Sequence, residues 1–212
     1  MLQLYDYFRS SAAFRVRLAL NYKNLKYNKN KINLLDGDQL SDTYTQINPN
    51  KLVPVLMTEN NKIIRQSLAI IEYLEEVYPD PALLPQSPLS KVYVRALAMD
   101  VACDIHPLNN LRVLNYLKTE LNHDQETVNK WYAHWIVLGL TAIENSIKNS
   151  EFYTGKYCYN NQFTLADICL LPQLVNARRF HVDISGYPTL LAIEKICQEH
   201  EYVLSAYPDR QV

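Results

Sequence analysis

The chain has 212 residues, 48% of them hydrophobic and 20% charged, enough for one large domain or two small ones. Its formal net charge of −1 calls for neither nucleic acid nor an anionic membrane as partner, and no apolar run approaches the roughly 18 residues of a membrane helix. Only four glycines occur, and neither GxGxxG nor GxxxxGK is present, which excludes the common Gly-rich nucleotide loops.

In chain order, Leu2 and Leu4 alternate with polar residues and predict a short strand. It runs into Tyr7–Leu20, YFRSSAAFRVRLAL, where Ser10 and Ser11 stand at the head of a helix carrying Ala12, Val16, Ala19 and Leu20 at helical spacing. A helix N-terminus presents free N–H groups and a positive dipole end. A hydroxyl there either caps the helix or helps to hold an anion such as a thiolate, and both readings stand. Arg9, Arg15 and Arg17 flank the serines. Tyr27–Leu35 is a weaker extended segment leading to the polar loop Asp36–Gln39. Pro54 precedes a short apolar strand, Val55–Met57, and Asn60–Asn61 reads as the hairpin turn to Lys62–Ile64. Ser67 opens a helix with Ile70, Ile71, Leu74 and Val77 on one face. This order of elements is that of an α/β unit with a mixed sheet.

Four prolines in Pro79–Pro88 rule out helix interior and mark a linker. Helices follow. Lys91–Cys103 has a helical pattern, Pro107 is expected to break or kink it, and Leu108–Lys118 resumes it. Asp124 is placed to cap a helix with Val128, Trp131, Trp135, Leu138 and Ala142 at spacings of three and four. Thr164–Asp167 has the pattern of a capping box, and a last helix is expected after Pro188. The cysteines, Cys103, Cys158, Cys169 and Cys197, have neither CxxC nor metal-ligand spacing, so reduced, mostly buried thiols and no metal are expected. The first residues lack the pattern of an export signal, and a cytoplasmic location is the expectation.

Together with this order of elements, YFRSSAAFRVRLAL, INPNKLVPVL, QSLAIIEYLEE, DIHPLNNLRVL and FTLADICLLPQLVNARRF make the chain resemble the zeta class of soluble glutathione transferases over nearly its whole length. The resemblance implies a thioredoxin-like glutathione-binding domain over 1–80, a linker over 81–87, an all-helical domain over 88–212, and a homodimer. It also implies that Pro54 is cis, that Val53 offers backbone hydrogen bonds to the cysteinyl unit of glutathione, and that Gln66 and Ser67 hold its γ-glutamyl carboxylate. Ser67 also reads as an N-cap. Gln39 matches a loop glutamine near the glycyl end, or is a solvated loop residue. His106, Asn110 and Arg112 fall in a cofactor-lining segment, although His106 is also placed to satisfy a helix-end carbonyl. Ala12 stands where the family often has cysteine.

The activity so implied is glutathione-dependent cis–trans isomerisation of maleylacetoacetate to fumarylacetoacetate, a small dicarboxylate substrate. A carbon–carbon double bond does not rotate, whereas reversible thiolate addition leaves a single bond that does. Ser10, with Ser11 as the adjacent alternative, is the candidate for the hydroxyl that favours the thiolate. Arg9 and Arg179 are the candidates for the substrate carboxylates. Arg15 and Arg17 read first as structural ion-pair partners, with Arg15 also a candidate for the cofactor, and Arg178 reads as a solvated neighbour. Isomerisation of maleylpyruvate, general glutathione transfer to small electrophiles, and a non-catalytic binding module remain the alternatives.

Overall fold

The computed structural model describes residues 1–211. They fall into two compact units, Met1–Leu83 with the segment from Gln198 onward, and Leu84–Cys197.

The first unit is a four-stranded mixed sheet in the order β2-β1-β3-β4 with helices packed on it. Strand β1 (Leu2–Asp6) buries Leu2, Leu4 and Asp6, the alternation expected of a strand with one face in the core. It pairs parallel with β2 (Tyr27–Lys31), Leu4 opposite Lys29, and antiparallel with β3 (Val55–Met57), Leu4 opposite Leu56. Helix α1 (Ser11–Tyr22) makes the crossover that a parallel pair requires. β2 is shorter than the extended segment expected to Leu35 and lies at the sheet edge, where its Asn and Lys residues discourage further pairing. The hairpin turns at Asn60–Asn61 with Asn61 at φ 56°, and β4 covers Ile63–Arg65, one residue later than expected. A short helix α2 (Asp42–Ile47) brings Tyr44 against Tyr7, Val53 and Val55, and its hydroxyl donates to the Leu52 carbonyl at 2.7 Å. Helix α3 (Ser67–Val77) buries Ile70, Ile71 and Leu74, while Val77 is exposed.

Helix α1 is buried on nearly all sides, and that burial includes Arg15 and Arg17. Arg17 pairs with Asp6 at 2.6 Å and donates to the carbonyls of Phe8 and Ala206 at 3.1 and 3.0 Å. Burial pulls each partner toward its neutral form, the Asp6 carboxyl upward and the Arg17 guanidinium downward, and their mutual attraction opposes both shifts. The ion pair expected of Arg17 is therefore present. Arg17 also accounts for a departure from the expected boundary, because the segment from Gln198 onward, read as part of the helical domain, packs in the first unit. Its Ala206 carbonyl satisfies the buried Arg17 Nε, Tyr207 stacks edge-on against Phe14 at 5.1 Å, and Tyr202 and Ser205 accept hydrogen bonds from Asn21. A four-residue helix, Glu201–Leu204, lies in this segment.

The second unit is helical. Helix α4 (Pro88–Met99) starts with Pro88 at its first position and Ser87 as cap, Ser87 Oγ accepting from Ser90 N at 3.1 Å. The break expected at Pro107 is present but starts ahead of the proline, and the α-helix resumes at Leu111, three residues later than expected. The chain widens earlier into a π-helical turn, Asp100–Ile105, then tightens into a 3-10 turn, His106–Asn109, around the proline. The π turn satisfies a backbone that Pro107, lacking an N–H, cannot continue as α-helix, and His106 N–H donates to the Val101 carbonyl. Asn110 then caps α5 (Leu111–Thr119). Helix α6 (Gln125–Lys148) is capped by Asp124, whose Oδ1 accepts from Thr127 N at 2.8 Å. Its Gly139 meets Ile105 so closely that an added Cβ would lie 2.2 Å from the Ile105 side chain. Helix α7 (Leu165–Arg179) runs through the middle of the unit, buried from Leu165 to Leu174. It carries the expected capping box, with Asp167 Oδ2 accepting from Thr164 N at 2.8 Å and from its hydroxyl at 2.9 Å, while Oδ1 takes the Cys158 N–H at 2.8 Å. Helix α8 (Pro188–Cys197) closes the unit. No helix among the described residues is long and apolar enough to cross a membrane.

Candidate functional site

In the first unit, Ser10 is the residue that caps α1, its Oγ accepting from Ala13 N at 3.2 Å. The cap uses the oxygen as acceptor and leaves the hydroxyl proton as a separate donor. Ser11 is the first residue of the helix and buried, and Ala12 beside it is half-buried. The structure thus distinguishes two serines that are equivalent by spacing. The half-exposed one is the cap and the next is in the helix wall. Arg9 is exposed, with its guanidinium 4.9 Å from the Phe8 ring centroid.

The other helix N-terminus in this unit is built differently. The residue before α3, Gln66, has φ 72° and ψ 122°, a backbone region that a residue with a side chain rarely occupies and that costs about 1–3 kcal/mol. Its side chain makes no cap hydrogen bond, so the first-turn N–H groups of α3 are not taken by a capping side chain. Ser67, expected as a possible N-cap, is instead the first helical residue, and its buried Oγ accepts from Arg15 Nη1 at 3.3 Å. Arg15 thereby brings a buried positive charge to the head of α3. An uncapped helix end, a strained residue leading into it and a guanidinium alongside form a corner suited to a carboxylate.

Two further candidates fall in the same unit. The Val53–Pro54 peptide is cis, and Val53 is buried at the entrance to β3. Gln39 lies in a short 3-10 turn, Asp38–Leu40, with its Oε1 buried and without a hydrogen-bond partner. Buried polar atoms are nearly always paired, so such an atom marks a place where a bound group or water completes the structure.

In the second unit, His106 is half-buried on the 3-10 turn after the π-helical segment. Asn110 uses its Oδ1 to cap α5, accepting from Arg112 N at 3.1 Å, and Arg112 is exposed. The structure also separates Arg178 from Arg179. Arg178, read as a solvated neighbour, is instead bound through both terminal nitrogens to Glu194, Nη1 to Oε1 at 2.6 Å and Nη2 to Oε2, with Glu194 buried on α8. Its neighbour Arg179 is exposed at the last position of α7, where the dipole favours a cation, and its guanidinium lies 5.0 Å from the Phe180 ring centroid. Phe180 ends the segment FTLADICLLPQLVNARRF, and its type and spacing alone carry no sign of a role beside Arg179. No cluster of His, Cys, Asp or Glu that could hold a metal ion occurs among the described residues.

Comparison with known proteins bears on the chain as a whole. The family described as glutathione S-transferase, N-terminal domain, matches residues 4–82. A probable maleylacetoacetate isomerase of Vibrio cholerae is 44% identical, the match covering 99% of this chain and 97% of that protein. Among solved structures, a maleylpyruvate isomerase described as a bacterial glutathione S-transferase of the zeta class is similar with a TM-score of 0.95 at 40% identity, covering 99% of this chain and 98% of the other. The maleylacetoacetate isomerase of Methylobacterium extorquens AM1 with bound malonate and glutathione is similar with a TM-score of 0.96 at 35% identity, with coverage of 99% and 98%.

Proposed function

Since this chain belongs to the zeta class of the glutathione transferases, we propose that it catalyses the glutathione-dependent cis–trans isomerisation of maleylacetoacetate to fumarylacetoacetate. The observation that carries the reading is the head of α3, an uncapped N-terminus led by Gln66 at φ 72°, with Ser67 held by the buried Arg15. Glutathione fits these residues, because an acidic tripeptide needs carboxylate sites and backbone partners, and Gln39 Oε1 is left over for it. Gln66, Ser67 and Arg15 hold the γ-glutamyl carboxylate, Val53 offers its backbone to the cysteinyl unit, and Gln39 Oε1 accepts from the N–H of the glycyl unit.

When bound, glutathione supplies the thiolate whose reversible addition opens the alkene to rotation. Ser10 donates its hydroxyl hydrogen to that sulfur and favours the charged form, while its oxygen continues to cap α1. Arg9 and Arg179 orient the two substrate carboxylates and offset the negative charge that develops on the conjugated carbonyl oxygen. His106, Asn110 and Arg112 belong to the cofactor-lining set of the second unit.

Maleylpyruvate, a shorter diacid, is the second reading, supported by the similarity to a maleylpyruvate isomerase. Rates on maleylacetoacetate and maleylpyruvate, measured side by side with and without glutathione, test both. Glutathione-dependent turnover of either supports the chemistry and their ratio assigns the substrate. Absence of glutathione binding favours a non-catalytic module. The protein is further inferred to act in the cytoplasm as a homodimer. Leu89, Val92 and Met99 of α4, exposed by 67%, 62% and 48%, lie at helical spacing on one face and support an interface between copies. Sedimentation at micromolar concentration distinguishes dimer from monomer.

A further inference from the structure

The end of α7 gives two adjacent arginines different partners, Glu194 for Arg178 and the Phe180 ring for Arg179. The helix closes with Phe180 as its C-cap and His181 in the left-handed region at φ 56°. Val182 N–H donates to the Ala177 carbonyl at 2.9 Å and His181 N–H to the Arg178 carbonyl at 3.0 Å, the paired bonds of a Schellman termination without its usual glycine. This turn sets Phe180 flat against Tyr132 of α6, with ring centroids 3.8 Å apart and planes 17° from parallel. Tyr132 is 2% exposed, and its carbonyl accepts from Asn109 Nδ2 at 3.3 Å, on the turn that carries His106 and leads to Asn110. Burial pushes the Tyr132 phenol upward and the charge of Arg179 opposes that shift, so guanidinium and phenol lie within electrostatic reach. The platform is therefore anchored on one side by α6 and the 106–109 turn, and it presents a ring face to Arg179. Arg178 has been withdrawn to Glu194.

We propose that Phe180, backed by Tyr132, is a positioning residue for Arg179, holding its guanidinium over the ring so that it meets a substrate carboxylate with little side-chain freedom left to lose. The inference rests on the reading of Arg179 as a carboxylate anchor. A long cation loses rotamer entropy when it binds, and a ring face that already confines it removes part of that cost. The device selects for dicarboxylates and leaves glutathione binding untouched.

The test is a double-mutant cycle on the full-length enzyme, using whichever diacid it turns over faster, with KM read separately for diacid and glutathione. Phe180→Leu is expected to raise the diacid KM about 3- to 10-fold, to leave the glutathione KM unchanged, and to be rescued by Phe180→Tyr. In an Arg179→Ala background Phe180→Leu should add nothing further. An effect of Phe180→Leu that persists in that background, or that raises both KM values together, overturns the proposal in favour of simple packing. A diacid KM unmoved by Phe180→Leu but raised by Arg179→Ala overturns positioning alone. A diacid KM unmoved by Arg179→Ala removes the anchor itself, and this inference with it.

Discussion

Ser10→Gly separates the two roles of that serine, because glycine retains most of a cap and none of a hydroxyl. The cap bond to Ala13 N is 3.2 Å long. Replacing a serine cap by alanine costs about 1 kcal/mol, and by glycine only a few tenths. For a chain of this size 1 kcal/mol corresponds to roughly 2–4 °C in Tm. A hydrogen bond to a charged sulfur contributes about 1.5–3 kcal/mol, which is roughly 10- to 100-fold in kcat/KM and about one to two units in the pKa of the bound glutathione thiol. Ser10→Ala should therefore lose both stability and activity, whereas Ser10→Gly should lose activity alone. The assays are thermal unfolding, turnover of the diacid, and titration of the thiolate absorbance of the glutathione complex. A Ser10→Gly enzyme with unchanged thiol pKa and turnover would refute the reasoning and leave the serine as a cap. A loss found instead in Ser11→Ala would move the role one residue along.

Asp167→Ala should cost about 3–5 kcal/mol in urea unfolding, because it strips the Cys158 and Thr164 N–H groups of their acceptor in a fully buried site. Asp167→Asn, which keeps one oxygen, should cost less, and a loss below about 1 kcal/mol for alanine would contradict this account. The Asp124 carboxyl is held below its ordinary value by the hydrogen bonds from the Thr127 N–H and hydroxyl, in that order. A depressed carboxyl contributes stability above its unfolded pKa near 3.9 and loses it as pH falls through the lower folded value. The pH dependence of unfolding below about 4 should therefore flatten in Asp124→Asn. Of the four cysteines only Cys103 is exposed, and burial pushes the thiols of Cys158 and Cys197 upward. One thiol should react rapidly with an aromatic disulfide reagent in the native protein and four in denaturant, and a second fast thiol would show that a buried site opens.

Much of the architecture is legible along the chain because it rests on local signals. The alternation of Leu2 and Leu4, the Asn60–Asn61 turn, the Thr164–Asp167 box and the Asp124 cap each lie within a few residues of the element they define. Where local pattern ends, contacts distant in sequence set the boundaries. The π turn ahead of Pro107 brings Ile105 against Gly139 of α6, a contact between residues far apart in sequence. The Gln198 onward segment joined the first unit because a buried guanidinium needed the Ala206 carbonyl.

The sequence by itself determined which chemistry this protein carries, since serines, arginines and a cis-proline candidate in these motifs suffice to identify the family. Only the tertiary structure decided what each member of a pair contacts. Ser10 and Ser11, Arg15 and Arg17, and Arg178 and Arg179 are near-equivalent in one dimension. The two arginine pairs part company when Asp6 and Glu194 arrive from other elements to meet Arg17 and Arg178. Each contact rests on a partner brought from another element, Asp6 for Arg17, Ser67 for Arg15 and Glu194 for Arg178, and spacing along the chain does not encode such meetings.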